Sequence, residues 1–166
     1  TIEIARNFGG KIVPGGLPAK GRNQGAAEAK GDLFLFFEAE TVLYPGFFKQ
    51  ALFEFEKRKL DIASCGLEPA TKHRIPKIIY DLFYNWPAGA LENVFPYASN
   101  FILVKREIHE KIGGFDEEIT LSEDHAYVRK AAKVGRFGFL KSIKQRFIPR
   151  RYLKEGEIKI CLKYSL

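Results

Sequence analysis

Methionine is absent from this sequence of 166 residues, and cysteine and tryptophan are scarce, with two and one. Cys65 and Cys161 are too few for a disulfide framework and lack the spacing of a metal site, so we expect a reduced, cytoplasmic setting. No run of about 18 uncharged apolar residues occurs, so the sequence predicts no membrane-spanning helix. The scarcity of cysteine argues against a disulfide-rich protein, and the lack of a long apolar run argues against a chain that spans a bilayer.

The composition suits one globular core, with 46% hydrophobic and 28% charged residues. The length is near that of one domain and no linker divides the chain, so we expect one domain over residues 1–166. The formal net charge is +7. A basic chain attracts polyanions, which leaves nucleic acid, phosphorylated ligands and anionic membranes as partner classes. No nucleic-acid recognition motif is recognisable, so that class ranks last.

Hydrophobic periodicity alternates along the chain between helical segments and short buried strands, which is typical of an α/β fold. The run Leu33–Phe37 is apolar throughout and predicts a strand buried on both faces of a parallel sheet. The predicted helices lie at residues 1–8, 21–30, 45–59, 75–86, 106–112 and 122–134, and the predicted strands at residues 11–13, 33–37, 61–65, 100–105 and 137–143.

Two carboxylates, Glu38 and Glu40, directly follow this apolar strand. Residues two apart on an extended segment point the same way, so both side chains would converge at the carboxyl end of a parallel strand. Open α/β sheets bind ligands at that edge, and oxygen ligands suit Mg²⁺ or Mn²⁺, which usually bring a diphosphate with them. The alternative is a pair of solvated acids at a strand exit.

A second acidic pair, Glu123 and Asp124, begins a predicted helix. Thr120 and Glu123 fit a capping box, and acids in a first helical turn offset the helix dipole. The functional alternative makes one of the two acids a general base. Local sequence leaves both interpretations open.

Glycines mark two further candidate positions. Residues 21–25 read G-R-N-Q-G at a helix start, where backbone N–H groups favour phosphate or a polar heterocycle. The pattern is not a P-loop, and a plain loop-to-helix turn is the alternative. Residues 113–116 read G-G-F-D and predict a tight turn with an aromatic core anchor.

The three histidines lack metal-ligand spacing. We expect the two that lie on predicted helices, His109 and His125, to face solvent. Cys65 follows a predicted strand and is expected in the core.

Taken in order, these segments resemble family 2 glycosyltransferases with the GT-A fold. Residues 21–32 are similar to the family's A-R-N-x-G … A-x-G-D segment. Residues 33–41, L-F-L-F-F-E-A-E-T, resemble the strand that carries the metal-binding D-x-D. Residues 112–117, I-G-G-F-D-E, followed by Glu123 and Asp124, resemble the family's I-G-G-F-D-E … E-D pattern, which is more specific than either half.

The resemblance implies a chemistry as well as a fold. The fold would be a GT-A domain, with a Rossmann-like, mixed and mostly parallel sheet flanked by helices. In that family a nucleotide-diphosphate sugar binds at the carboxyl edge of the sheet with a divalent ion, Mn²⁺ or Mg²⁺, and an acceptor hydroxyl attacks the anomeric carbon with inversion. A carboxylate takes the hydroxyl proton. The acceptor would be a sugar or a lipid-linked molecule.

The resemblance also implies roles for individual residues. It implies Asp124 as the catalytic base and Glu38 and Glu40 as metal ligands. The residues implied to hold the nucleotide sugar are Arg22, Asn23, Glu38 and Glu123.

Two departures from the family's pattern lead to an alternative function. The D-x-D is E-A-E at residues 38–40, and each extra methylene loosens the geometry that Mg²⁺ demands. The family's first strands have no counterpart before Thr1, so we expect a GT-A sheet truncated at its N-terminus, with an edge open for pairing in a homo-oligomer. The alternative is a catalytically reduced relative that acts as a binding or membrane-surface module.

Residues 149–166 form a basic tail in which apolar and cationic residues are interleaved. We expect the tail either to pack on the domain as an edge strand or helix, or to meet an anionic lipid surface. The second alternative would place the protein peripherally at the inner face of the membrane.

Overall fold

The computed structural model describes residues 2–39, 41–98 and 101–147. The described helices are α1 (Ile2–Asn7), α2 (Pro18–Glu28), α3 (Phe47–Lys57), α4 (Arg74–Tyr80), α5 (Trp86–Ala90), α6 (Arg106–Lys111) and α7 (Glu123–Ala132). The described strands are β1 (Leu33–Phe37), β2 (Thr41–Val42), β3 (Ile62–Pro69), β4 (Phe101–Lys105) and β5 (Phe137–Phe147). A π-helical turn, Asp81–Asn85, joins α4 to α5.

The five strands form one mixed sheet in the order β1-β4-β3-β5-β2. β4 runs antiparallel to both β1 and β3, and β2 runs antiparallel to β5. The β3–β5 pairing is parallel. The predicted α/β fold with a mixed sheet flanked by helices is confirmed, but the expectation of mostly parallel strands is wrong for the described residues.

Strand β1 shows why the apolar run did not reveal strand direction. Leu33 and Leu35 pack against one core, while Phe34 and Phe36 belong to the core on the other face. A strand between two helical layers is apolar throughout whichever way its neighbours run, because the pattern reports burial and not direction. Within the described residues β1 pairs with β4 alone, and the expected homo-oligomer stays a prediction.

The two cores lie on opposite faces of the sheet. One joins β1, β3 and β4 to α2, α6 and α7. The other packs α3 against the sheet through Phe47, Ala51 and Phe55. The helix predicted over residues 45–59 is therefore confirmed as α3, and its other side carries the partly exposed Phe48 and Leu52. Cys65, which was expected in the core, is fully buried.

A bulge in β5 is held by α3. The β3–β5 register shifts after Cys65, and at the bulge the backbone N–H groups of Lys141 and Ser142 donate to the Glu54 carboxylate at 3.0 and 2.8 Å. Burial alone would raise the pKa of the Glu54 carboxyl, but the hydrogen bonds that it accepts outweigh burial and hold the pKa below its usual value.

Several predicted elements change in extent. Residues 11–13 form no strand, so that prediction is wrong, and β3 continues to Pro69 beyond the predicted 61–65. The single helix predicted over residues 75–86 is divided into α4, the π-helical turn and α5. In the part of the chain that the structure describes, no helix is long and apolar enough to cross a membrane. The basic tail, residues 149–166, lies outside the described residues, and one domain over residues 1–166 stays a prediction.

Candidate functional site

The carboxyl end of β1 and the start of β4 lie side by side, because Phe37 pairs with Phe101. Glu38 follows at this edge and is exposed, in a turn where the Thr41 backbone N–H donates to the Glu38 carbonyl oxygen at 3.0 Å. Glu40, the second predicted metal ligand, lies outside the described residues. The structure therefore places the start of the E-A-E segment at the carboxyl end of β1, but β1 runs antiparallel to β4 and not in the parallel sheet that was expected.

Asn23 ties helix α2 to the G-G-F-D turn. Its side-chain amide donates to the Phe115 carbonyl oxygen at 2.9 Å, and its Oδ1 accepts from the Phe115 backbone N–H at 2.8 Å. The same amide lies 2.9 Å from Oε1 of Glu117. Gly114 permits this approach, since it has a φ of +73° and a Cβ there would lie 2.6 Å from the Asn23 Oδ1. The two motifs, 92 residues apart along the chain, thus meet directly.

Arg22 ties the same helix to the start of α7. Its guanidinium forms an ion pair with Glu123 and lies 5.3 Å from the centre of the Phe115 ring. The capping box predicted for Thr120 and Glu123 is wrong, because Glu123 turns to Arg22 and Ser122 at the N-cap position makes no side-chain capping bond. We call the set Arg22, Asn23, Phe115, Glu117 and Glu123 the clamp.

Asp124 occupies the first turn of α7, next to His125, whose ring contacts that of Tyr97. Its Oδ1 accepts from the His125 backbone N–H at 2.8 Å. Burial raises the pKa of the Tyr97 hydroxyl, and the nearby charge of Asp124 raises it further. Burial also raises the pKa of Tyr84 well above its usual value. The Asp124 charge thus acts on both phenols and favours their neutral form.

The aromatic surroundings of Asp124 could not be found by motif. The Tyr84 hydroxyl donates to the Ala98 carbonyl oxygen at 3.0 Å, and the Tyr84 and Tyr97 rings lie 5.1 Å apart. Both tyrosines come from the stretch between β3 and β4 that carries none of the resemblance. The signal that marked them in the sequence was only the concentration of aromatic residues there.

The expectation that His125 faces solvent is wrong. Its ring lies 4.2 Å from that of Tyr97, and its Nδ1 accepts from the Ala98 backbone N–H at 3.3 Å. Burial lowers the pKa of His125, which favours the neutral imidazole. An aromatic partner from outside the helix covers a side chain that local periodicity assigned to the surface.

The same expectation is wrong for His109. This residue is 8% exposed, its Nδ1 lies 2.8 Å from the Tyr127 hydroxyl, and its ring contacts that of Phe34 at 5.2 Å. Burial lowers its pKa as well. The Tyr127 ring in turn stacks on the Phe115 ring, with 3.9 Å between the ring centres. The clamp residue Phe115 is therefore packed against a buried aromatic cluster that includes Tyr127 and His109.

The described residues do not by themselves make a metal site. No group of three or more His, Cys, Asp or Glu side chains able to hold an ion occurs within residues 2–39, 41–98 and 101–147. Glu38 contributes a single carboxylate, which does not fit the six or more oxygen ligands that hard divalent ions take. Metal binding at Glu38 and Glu40 stays a prediction.

The fold matches solved structures of TarS from S. aureus. TarS 1–349 has a TM-score of 0.65 and 16% sequence identity, over 98% of this chain and 51% of TarS 1–349. The fold is that of the GT-A glycosyltransferases. The UDP-GlcNAc complex of TarS 1–349 matches at TM-score 0.65 and 18% identity, over 94% of this chain and 46% of that one. The UDP complex of TarS 1–349 matches at TM-score 0.65 and 16% identity, over 89% of this chain and 47% of that one.

The likeness to TarS extends to fold alone at this level of identity. The present chain spans about half the length of TarS 1–349. Neither a protein-family model nor a curated protein matches the sequence.

Proposed function

We propose that this chain is part of a glycosyltransferase that uses a nucleotide-diphosphate sugar as donor. TarS, with the same fold, forms complexes with UDP-GlcNAc and UDP, which supports a nucleotide sugar as the ligand class. The observation that carries the proposal is the clamp. Two motif segments, 92 residues apart, meet there. The Phe115 ring of the clamp lies 5.0 Å from that of Phe36, one residue before the end of β1, and the GT-A resemblance implies that the donor binds at that end of the strand.

The role of catalytic base falls to Asp124. Consecutive helical residues point about 100° apart, so the two acids of this pair serve different directions. Arg22 holds Glu123, while the Asp124 charge acts on the phenols of Tyr84 and Tyr97. In the proposed step the acceptor hydroxyl oxygen bonds to the anomeric carbon and its proton passes to the Asp124 carboxylate. The bond from that carbon to the diphosphate breaks on the opposite face, so the configuration inverts.

Arg22 and Asn23 enter the proposal as positioning residues. Their polar groups bond to Glu123 and to the Phe115 backbone, and these contacts fix α7 relative to α2. A base must lie within hydrogen-bond reach of the proton that it takes, so fixing the start of α7 fixes Asp124. Direct contact of either side chain with the nucleotide stays a prediction.

A divalent ion would offset charge on the departing diphosphate. Glu38 lies where such an ion is expected, at the exit of β1. The proposed proton transfer involves only Asp124 and the acceptor hydroxyl, and it requires no particular metal.

A catalytically reduced binding module is the second candidate function. The engagement of Arg22 and Asn23 with protein partners favours it, because those groups would otherwise serve the nucleotide. The two candidates differ in turnover and not in fold.

Substitution of Asp124 tests the proposal. Asp124→Asn keeps the shape of the side chain and removes the base, so transfer from a nucleotide-sugar panel that includes UDP-GlcNAc should fall by about 100-fold or more. Binding of the nucleotide sugar, followed by calorimetry, should persist. Glu118→Gln is the control, since Glu118 is an exposed acid of the loop before α7. Transfer by Asp124→Asn at the parent rate would contradict the assignment, and ligand binding without transfer by the parent would favour the binding module.

A further inference from the structure

The large apolar side chains of α4, the π-helical turn and α5 point away from the body of the protein. Six of them lie along residues 75–86, which span roughly 17 Å at the helical rise of about 1.5 Å per residue. We call this set the ridge. Its members and their exposed fractions are Ile75 (71%), Ile78 (60%), Ile79 (42%), Leu82 (56%), Phe83 (75%) and Trp86 (70%). Soluble monomers rarely expose a contiguous apolar surface of this extent without a binding partner.

The ridge faces outward because polar side chains of the same segment are anchored inward. Asn85 accepts from the Leu67 backbone N–H at 2.8 Å and donates to the Leu67 carbonyl oxygen at 2.9 Å. Gly66 leaves room for this anchor, since a Cβ there would lie 2.8 Å from the Asn85 Oδ1. Tyr84 donates to the Ala98 carbonyl oxygen. The orientation of the ridge is thus fixed by hydrogen bonds to the strand and loop beneath it.

Cationic side chains border the ridge. Lys141 and Lys144 line the same cavity as Trp86, a space of about 530 Å³. At the opposite flank, Phe83 and Phe95 line a second cavity, and the Arg129 guanidinium lies 4.3 Å from the centre of the Phe95 ring. Lys72 and Arg74 are exposed where the segment begins.

The acids of this stretch are already paired. Between residues 70 and 98 the chain has two, Asp81 and Glu92. Asp81 lies 2.5 Å from Nζ of Lys144, and Glu92 lies 2.8 Å from the Arg58 guanidinium. Lys141 also lies 3.6 Å from Glu92, so both lysines beside Trp86 are in ion pairs. The positive charge of the border therefore comes from Lys72, Arg74 and Arg129, which form no ion pair within the described residues.

We propose that the ridge is a membrane-binding surface for an anionic bilayer. Apolar side chains of an interfacial helix enter the boundary between headgroups and acyl chains, and flanking Lys and Arg side chains meet the lipid phosphates. Tryptophan favours that boundary, because its ring is apolar and its N–H can bond to water or headgroups. This inference goes beyond the proposed function and does not depend on it.

Charge complementarity favours lipid over two other occupants. A second copy of the chain would bring its own Lys72, Arg74 and Arg129 against the same cations. The tail, residues 149–166, carries five Lys and Arg against two Glu, so it would also oppose a cationic border. Of the three possible occupants, only anionic lipid headgroups would neutralise the cationic border of the ridge.

Trp86 reports on the ridge directly, since it is the sole tryptophan of the chain. The full chain is mixed with vesicles of phosphatidylcholine and phosphatidylglycerol, or with phosphatidylcholine alone. We expect its emission to shift to the blue with the anionic vesicles, to be quenched by lipids brominated on the acyl chain, and to recover at high salt. These readouts need no variant. Protein that sediments with the vesicles while Trp86 emission is unchanged would overturn the proposal, because another surface would then carry the binding.

A matched pair of double variants isolates the ridge. Ile78→Ser with Phe83→Ser should lower the vesicle partition coefficient by about 100-fold, since each burial contributes about tenfold or more. Phe8→Ser with Phe53→Ser removes two apolar side chains that are 89% and 66% exposed elsewhere and should leave the coefficient unchanged. Equal losses in both pairs would contradict a specific surface. A blue shift that grows with protein concentration in the absence of vesicles would assign the ridge to a second copy and overturn the lipid proposal.

Discussion

The clamp and the ridge differ in which side chains they turn toward the protein. In the clamp, charged and amide groups close on each other and on backbone atoms above a buried aromatic stack. In the segment that carries the ridge, Tyr84 and Asn85 face inward, whereas the isoleucine, leucine, phenylalanine and tryptophan side chains of the ridge face outward. The first arrangement stabilises the folded state, whereas the second leaves apolar side chains in water and so contributes little to stability. The difference separates residues that build the domain from residues available to a partner.

The largest expected contrast is between two phenylalanines. Phe115 is 3% exposed and stacks on Tyr127, so Phe115→Ala should lower the free energy of unfolding by about 4 kcal/mol. Phe83 on the ridge is 75% exposed, and Phe83→Ala should change the free energy of unfolding by about 0.5 kcal/mol or less. Urea unfolding followed by circular dichroism measures both values. Similar losses in the two variants would erase the distinction between clamp and ridge.

A pair of adjacent glycines sharpens the account of the clamp. Gly113 and Gly114 both have a φ of +73°, but only at Gly114 would a Cβ meet a neighbour, the Asn23 Oδ1. We expect Gly114→Ala to lower the free energy of unfolding by about 3 kcal/mol, from backbone strain and the clash together. Gly113→Ala carries the strain alone and should cost about 1 kcal/mol. The same denaturation measurement applies, and equal costs would remove the close approach of Asn23 as the cause.

Removal of the Asn23 amide should have a somewhat smaller effect. Asn23→Ala leaves the Phe115 backbone N–H and carbonyl groups without that partner, at an expected cost of about 2 kcal/mol. Asn93→Ala, at an exposed position after α5, is the control and should be neutral. Thermal unfolding of the two variants gives the comparison. If both are neutral, water replaces the Asn23 bonds and the clamp is weaker than its geometry indicates.

The smallest effect is a dependence of stability on pH between about 6.5 and 5. Burial lowers the pKa of His109 and of His125 in the folded state, so the unfolded chain binds their protons first as the pH falls. Stability is therefore full above the unfolded pKa near 6.5 and declines below it. Carboxyls with a lowered pKa, such as Glu54, add a separate loss below about pH 4.5.

Histidine substitutions separate these two windows. His109→Gln should reduce the decline of the melting temperature between about pH 6.5 and 5, whereas the exposed His73→Gln should leave that decline in place. Melting curves across this range provide the test. A decline of unchanged size in His109→Gln would show that this histidine is not coupled to folding.

Much of the local structure could be predicted from sequence. The apolar run Leu33–Phe37 formed a strand with the expected bounds, because a run of that length bounded by charges can hardly form anything else in a layered fold. The G-G-F-D turn also followed from its glycines, which adopt the positive φ values that such a turn requires. A helix over residues 75–86 was predicted as well, but periodicity could not indicate that its large apolar side chains face outward.

Three of the errors share one cause. His109 and His125 were expected in solvent, and Glu123 was expected to cap its own helix, because each was judged from neighbours within about one helical turn. Their partners, Tyr127, Tyr97 and Arg22, come from other elements. Aromatic neighbours that cover a histidine leave no mark on the periodicity of its helix.

The sequence by itself determined where most helices, strands and tight turns lie, and its ordered motifs determined the resemblance to GT-A glycosyltransferases. These follow from backbone preferences and from hydrophobic spacing over a few residues. Tertiary structure alone decided the direction of β1, the pairing of Arg22 with Glu123, and the outward orientation of the ridge. Each of these depends on which distant segments the chain brings together. Local periodicity shows which residues share a face of a helix or strand, but it does not show what packs against that face.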